Sequence, residues 1–408
     1  MQLAKGVLES KGDSDEIGVE LIARARAMKT RLQDRAAASE AARHISVETY
    51  KELREADFFL AVVPEPYGGY ELPPRYFWRI SAELAKGCPS TAWVLNILSA
   101  HAYIFAMYPE KAQDEIFGSD PSVGICGVLP DKSTARKVDG GYLLKNGRWP
   151  FASGCHSAEW AMLGAHLEGE SPGYDKAFFM IPMEQIEIID DWYVAGLKAT
   201  GSNSVKLAAE ELFVPSHHVL NAAVALAHKL GYTRHRLYRA PMAGLLALML
   251  ALGPTIGVAE AALELYETLA LNRSNRKMIY TDDVRKADLP ATRRCIADST
   301  ARLEAMRLLA DHACDLAWEA SAHPDQVVDL KTRARIRLYG VHVANECRNI
   351  VNMLYLESGG SALSESSPMQ RFSRDIQAMT LHEAMHLGTI QDVYGRVRLN
   401  KATTHWLL

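Results

Sequence analysis

His382 and Glu383 stand side by side near the end of this chain, seven and eight residues after Asp375 of an Arg374-Asp375 pair. An imidazole titrates near neutral pH and suits general-base work, whereas a carboxylate suits abstraction of a carbon-bound proton. On a helix, neighbouring side chains point about 100° apart, so only one of the two can face a given ligand. His386 lies four residues beyond His382, a spacing that metal ligands use, but no third ligand accompanies them and no metal is expected. A further candidate, His101, follows Trp93 by eight residues in a helical stretch opened by Ser90-Thr91-Ala92, which places ring and imidazole on neighbouring faces. A lone His on an apolar helix is more often a hydrogen-bonded core residue, so His101 needs company to count.

That company is a set of aromatic and hydroxyl residues. The stretch Gly147-Arg148-Trp149-Pro150-Phe151-Ala152-Ser153-Gly154 follows a hairpin-type turn. Read as a strand, it sets Trp149 and Phe151 at alternate positions and ends on a small hydroxyl. The edge of an isoalloxazine ring would find there a flat apolar surface and, in Ser153, a partner for its N5. In Thr200-Gly201-Ser202 the glycine lets the backbone approach a ligand closely, and two hydroxyls can bond a pyrimidine edge or a phosphate. No G-x-G-x-x-G follows a strand and no phosphate-loop signature occurs, so any nucleotide is held by another route.

The elements that must position these residues fall into three regions. From Ser14 to about Gly118 apolar residues recur three and four apart, as in helices. From about Val123 to Leu220 the pattern turns to strands and tight turns, with Asp139-Gly140-Gly141 and Asn146-Gly147 flanking Tyr142-Leu143-Leu144. From Ala240 onwards long helical patterns return. The apolar run Ala240–Leu271 is long enough to span a bilayer, but Gly253-Pro254 interrupts it and Glu260, Glu264 and Glu267 follow, so a helix buried in a bundle is expected. The 408 residues, 48% hydrophobic and 23% charged with a formal charge of −4, suit a globular protein and offer no basic field for nucleic acid. Six scattered cysteines without a CxxC pair read as reduced thiols, and the charged N-terminus has no export signal, so a cytoplasmic location is expected. The basic run Lys331–Arg337 reads as a solvated face or an inter-subunit contact, and less readily as a partner for flavin phosphates.

In chain order, Ser90-Thr91-Ala92-Trp93 with His101, the Trp149–Ser153 stretch, Gly196–Ser202, and Gly359-Gly360-Ser361-Ala362 leading to Arg374-Asp375 and His382 resemble one family. It is that of the two-component (group D) flavin-dependent monooxygenases, oxygenase components built on the acyl-CoA dehydrogenase fold. The resemblance runs from about Ser14 to Leu399. It implies a mainly α chain with a central β domain: an N-terminal helical domain (1–120), a barrel-like β domain (121–232) and a C-terminal four-helix bundle (233–408), assembled as a homotetramer. It also implies reduced FAD or FMN supplied by a partner reductase, with dioxygen as co-substrate. One oxygen atom would enter a small aromatic of the phenol or indole type through a C4a-(hydro)peroxyflavin. In this reading His382 is the general base, His101 faces substrate or peroxide, and Ser153 meets N5. Trp93, Cys126, Gly127, Phe151, Ser153, Thr200 and Ser202 would contact the flavin. Cys126-Gly127 departs from the serine pair that related enzymes often carry there, and a thiol is a weaker donor. The alternatives are an acyl-CoA dehydrogenase using Glu383 as base, an N- or S-oxygenase on the same fold, and a non-catalytic flavin-binding scaffold.

Overall fold

Seventeen consecutive residues, Pro89–Phe105, are all buried, and this helix forms the wall on which Trp93 and His101 stand. In the computed structural model, which describes residues 14–130, 132–226, 236–240, 242–272, 276–278, 281–322 and 328–403, it is α4 of a helical first third. Before it come α1 (Ser14–Ala42), α2 (Val47–Glu55) and α3 (Pro74–Gly87), and after it α5 (Glu110–Ile116). Proline at the first turn of α3 and α4 suits a position whose N–H has no helical acceptor.

The strands follow as β1 (Ile125–Val128), β2 (Thr134–Val138), β3 (Gly141–Lys145), β4 (Trp160–Leu167), β5 (Lys176–Pro182), β6 (Ile186–Ile189), β7 (Ser204–Leu207), β8 (Glu211–Pro215) and β9 (Val219–Asn221). Seven form one sheet in the order β8-β3-β2-β4-β5-β9, with β1 parallel to β4, while β6 and β7 make a separate antiparallel ribbon. The stretch expected as an aromatic strand is not a regular one. Trp149 makes a single bridge to Val205, and the chain then keeps alongside the loop before β7 through Ala152 N–H to Asn203 O (3.0 Å) and Gly154 N–H to Thr200 O (2.8 Å). Pro150, which lacks a donor, and Phe151 at φ +67° explain why no ladder continues there. These few backbone bonds bring Ser153 opposite Ser202.

After the short α6 (Ala222–Leu226) come α7 (Met242–Asn272), the β10–β11 hairpin (Arg276–Met278, Thr281–Val284), α8 (Pro290–Ala320), α9 (Leu330–Ser358), α10 (Pro368–Thr380) and α11 (Leu387–Arg398). The expected boundary at 232/233 and the segment 273–275 lie outside the described residues. Helix α7 has the length and apolarity of a membrane span, but 94% of its most apolar window is buried. It packs against α3, α4, α8 and α9, and a Cβ at Gly257 would lie 2.2 Å from the Ala82 carbonyl, so α3 and α7 touch backbone to backbone. Among the described residues the bundle comprises the long helices α7, α8 and α9 with the shorter α10 and α11.

Candidate active site

Four buried groups from three distant segments form one hydrogen-bonded row. Trp93 Nε1–H donates to Ser153 Oγ (3.4 Å), Ser153 Oγ lies 2.7 Å from Ser202 Oγ, Ser202 Oγ lies 2.6 Å from Thr200 Oγ1, and Thr200 Oγ1–H donates to the Leu197 carbonyl (2.9 Å). All four residues are at most 6% exposed, which keeps water out of the row.

Two histidines adjoin it. The His382 ring stands edge-on to Trp93 at 5.7 Å. His101 lies on the same helix as Trp93 and takes a further downward push in pKa from His382, so the two imidazoles share one neighbourhood. Their tautomers differ. His101 Nδ1 faces the Ile97 carbonyl at 2.9 Å; a carbonyl only accepts, so Nδ1 carries the proton and Nε2 presents a lone pair. Burial holds the ring neutral by lowering its pKa to about 4. A Cβ at Gly127 would lie 2.6 Å from His101 Nε2, so the glycine is the space into which the ring projects. His382 caps a short turn (Glu383–Met385), and its Nδ1 accepts the Ala384 N–H at 3.2 Å. In the neutral ring the proton then sits on Nε2, a donor. Burial lowers the pKa of His382 as well, with Glu383 opposing weakly. The general-base role expected of His382 does not fit this tautomer, because the outward nitrogen is already protonated.

The support for this arrangement comes from α10. Asp375, 2% exposed, accepts the Leu197 N–H at 2.7 Å; Arg374 donates to the Ala195 carbonyl and to Glu40 on α1. A Cβ at Gly196 would lie 2.2 Å from the Arg374 carbonyl, so helix and loop meet at backbone distance. Leu197 sits at φ +52°, a strained value for a branched residue, and is held by these bonds. Burial raises the Asp375 carboxyl to about 7, against the Leu197 bond, which lowers it. The Arg374-Asp375 motif thus bolts the Thr200–Ser202 loop to the segment carrying His382.

Other expectations change. Phe151 is 69% exposed, edge-on to Trp192 at 6.0 Å, while Trp149 is wholly buried with Nε1–H on the Gly164 carbonyl, so they do not share one flat face. Cys126 is buried with its thiol on Met183 Sδ (3.8 Å), and the hydroxyl row does without it. His382 and His386 do not lie one helical turn apart on one helix, since each caps a different element, and His386 bonds Thr389. Lys331 is exposed, Arg333 and Arg335 are half-buried and Arg337 is 2% exposed, so the basic run is solvated only at its start; burial lowers the Arg337 pKa to about 10, with Glu383 acting against this. The sequence reading missed one polar cluster. His217 and His218 both bond Glu115 Oε2, at 3.1 and 2.9 Å, and tie α5 to the turn after β8. The shared oxygen gives both rings a partner.

Two family models match, the acyl-CoA dehydrogenase N-terminal domain over residues 20–117 and the acyl-CoA dehydrogenase C-terminal domain over 249–387. The chain is 31% identical over 360 residues to the flavin-dependent monooxygenase oxygenase subunit HsaA of Mycobacterium tuberculosis, covering 86% of this chain and 88% of that protein. It belongs to the flavin-dependent monooxygenases. Among these oxygenases it is also similar to the oxygenase component of the FADH2-dependent resorcinol hydroxylase of Rhizobium sp., at 29% identity over 93% of this chain and 94% of that one. The crystal structure of the 3-HSA hydroxylase from Rhodococcus sp. RHA1 superposes with a TM-score of 0.88 at 28% identity, covering 97% of this chain and all of that chain. A flavin-dependent monooxygenase on the acyl-CoA dehydrogenase fold has no need of Glu383 as a base, and here that carboxylate is exposed.

Proposed function

We propose that this oxygenase component takes reduced flavin from a separate reductase and hydroxylates a small aromatic of the phenol or indole type at the His101–His382 end of the hydroxyl row. The observation that carries the reading is the pair of opposite tautomers, one acceptor and one donor, beside a dry row of hydroxyls. This donor set fits a flavin. Ser153 offers an oxygen to the ring edge, Trp93 backs it with an apolar surface, and no carboxylate belongs to the row to meet the ring unpaired. Reduced flavin, when bound, activates dioxygen and supplies one oxygen atom to the substrate. The protein does the rest. His101 Nε2 accepts a hydrogen bond from the phenolic hydroxyl, which raises electron density on the aromatic ring. His382 Nε2–H donates to the substrate oxygen and fixes its orientation. The buried α4 wall excludes water that would compete for the activated oxygen.

FAD is the proposed form of the cofactor. The exposed leucines Leu271, Leu308, Leu356, Leu363 and Leu381, all on the C-terminal helical region, support a homotetramer built through the bundle. Six free, buried cysteines suit a reducing cytoplasm. The test is aerobic turnover of phenol and indole panels with chemically reduced FAD under ¹⁸O₂. One labelled oxygen per product is expected, with negligible NADH oxidation by the isolated chain. Enoyl thioester formed from acyl-CoA, or rapid NADH oxidation without a reductase, would overturn it.

A further inference from the structure

We infer that Ser202 and Thr200 select the oxidation state of the bound flavin, by fixing the direction in which the Ser153 hydroxyl points its proton. This rests on the reading above, that the flavin lies against Ser153. Each hydroxyl of the row has one proton to donate. The Leu197 carbonyl can only accept, so the Thr200 proton is spent on it at 2.9 Å. In the 2.6 Å contact Ser202 must then donate to Thr200, and in the 2.7 Å contact Ser153 must donate to Ser202. The indole N–H of Trp93, a donor only, arrives at the same Ser153 oxygen from 3.4 Å. Ser153 is left with a lone pair and no proton for a ligand.

A reduced flavin carries a hydrogen on N5, whereas an oxidised flavin has a bare lone pair at that atom. Ser153 therefore accepts from the reduced ring and faces the oxidised ring lone pair to lone pair. The row can reverse only by surrendering the Thr200–Leu197 bond; the carbonyl would keep the Thr200 N–H (3.1 Å) and the Trp192 indole N–H (3.3 Å). Selection thus has the weight of one neutral hydrogen bond, roughly tenfold in affinity. The consequence is directional exchange: the ring that arrives reduced is held, and the ring left oxidised after turnover is released. Ser202 and Thr200 act here as positioning residues, through Ser153.

The experiment is anaerobic titration of the full-length protein with oxidised FAD and with dithionite-reduced FAD, followed by tryptophan fluorescence. Ser202→Ala frees the Ser153 proton, and Thr200→Val lets Ser202 turn toward Ser153. Each should lower the ratio of oxidised to reduced Kd roughly tenfold, while Thr200→Ser should keep the wild-type ratio. A ratio unchanged in Thr200→Val or in Ser202→Ala overturns the inference; should one variant fail to fold, the other with Thr200→Ser decides. Ser153→Ala tests whether the flavin lies against Ser153 at all. If it alters neither affinity, the flavin does not lie against Ser153 and the underlying reading fails instead.

Discussion

The two histidines come from regions of opposite character. His101 stands on a helix with every residue buried, its Nδ1 locked to a carbonyl one turn back and its outer nitrogen facing the empty side of Gly127. His382 caps a three-residue turn between α10 and α11, beside the exposed Leu381 and Glu383. The buried region fixes an acceptor that stays neutral down to low pH; the turn fixes a donor whose position depends on how α10 is tied to the β domain. The same side chain thus acquires two roles from the backbone atom that meets its Nδ1.

Removing the acceptor should have the largest effect. His101→Ala should reduce phenol hydroxylation by roughly 10²-fold, the lower end of the scale for a lost catalytic proton acceptor, and should affect an indole far less. Equal losses on both substrates, in steady-state assays with reduced FAD, would erase the contrast. The pH profile sharpens it. With the His101 pKa near 4, its basic form persists above that value, so kcat/KM for a phenol should fall only as pH drops through about 4. An acid limb near 6.5 would put another group in the role.

On the donor side, His382→Ala should lower turnover about 10- to 100-fold, on the order of losing a hydrogen bond to a charged group. His382→Gln, which keeps an N–H donor, should recover part of it. No recovery would favour a proton-accepting His382. Gly127→Ala would push a methyl against the His101 ring and should destabilise the fold by about 1–3 kcal/mol, read by chemical denaturation.

Asp375 supplies a stability test. Its folded carboxyl is raised to about 7, above the roughly 3.9 of an unfolded chain, so the folded state holds the extra proton. Its contribution is complete below about 4 and is lost as pH rises through about 7. Tm should therefore decline between about pH 4 and 7, and Asp375→Asn should flatten that decline. The smallest effect belongs to Glu383→Gln: exposed, it should change stability within about 0.5 kcal/mol and leave turnover unaltered.

The three-region organisation was legible because helix and strand periods differ and the chain changes period only twice. The short motifs also named residues that the fold gathers: Trp93, His101, Ser153, Thr200, Ser202 and His382. The rest escaped because it lies in partner atoms. Nothing in the sequence says that Ala384 N–H reaches His382 Nδ1, or that Asp375 bonds a backbone 178 positions away. Phe151 misled because Pro150 and a left-handed backbone turn the aromatic outward, where a period-2 reading turns it inward. The helix assumed for His382 and His386 failed at Leu381, where α10 ends and a three-residue turn and then α11 each begin on a capping histidine.

The chain of bonds from Glu40 through Arg374 to α10, and from Asp375 to Leu197, links α1 to the hydroxyl row in three steps. A ligand that quiets the Leu197 loop must also quiet α1. By reciprocity, loosening α1 must weaken the ligand by the same factor. Amide hydrogen exchange around Glu40 should therefore slow when the active site fills, so that a helix remote from the chemistry records whether the pocket is occupied.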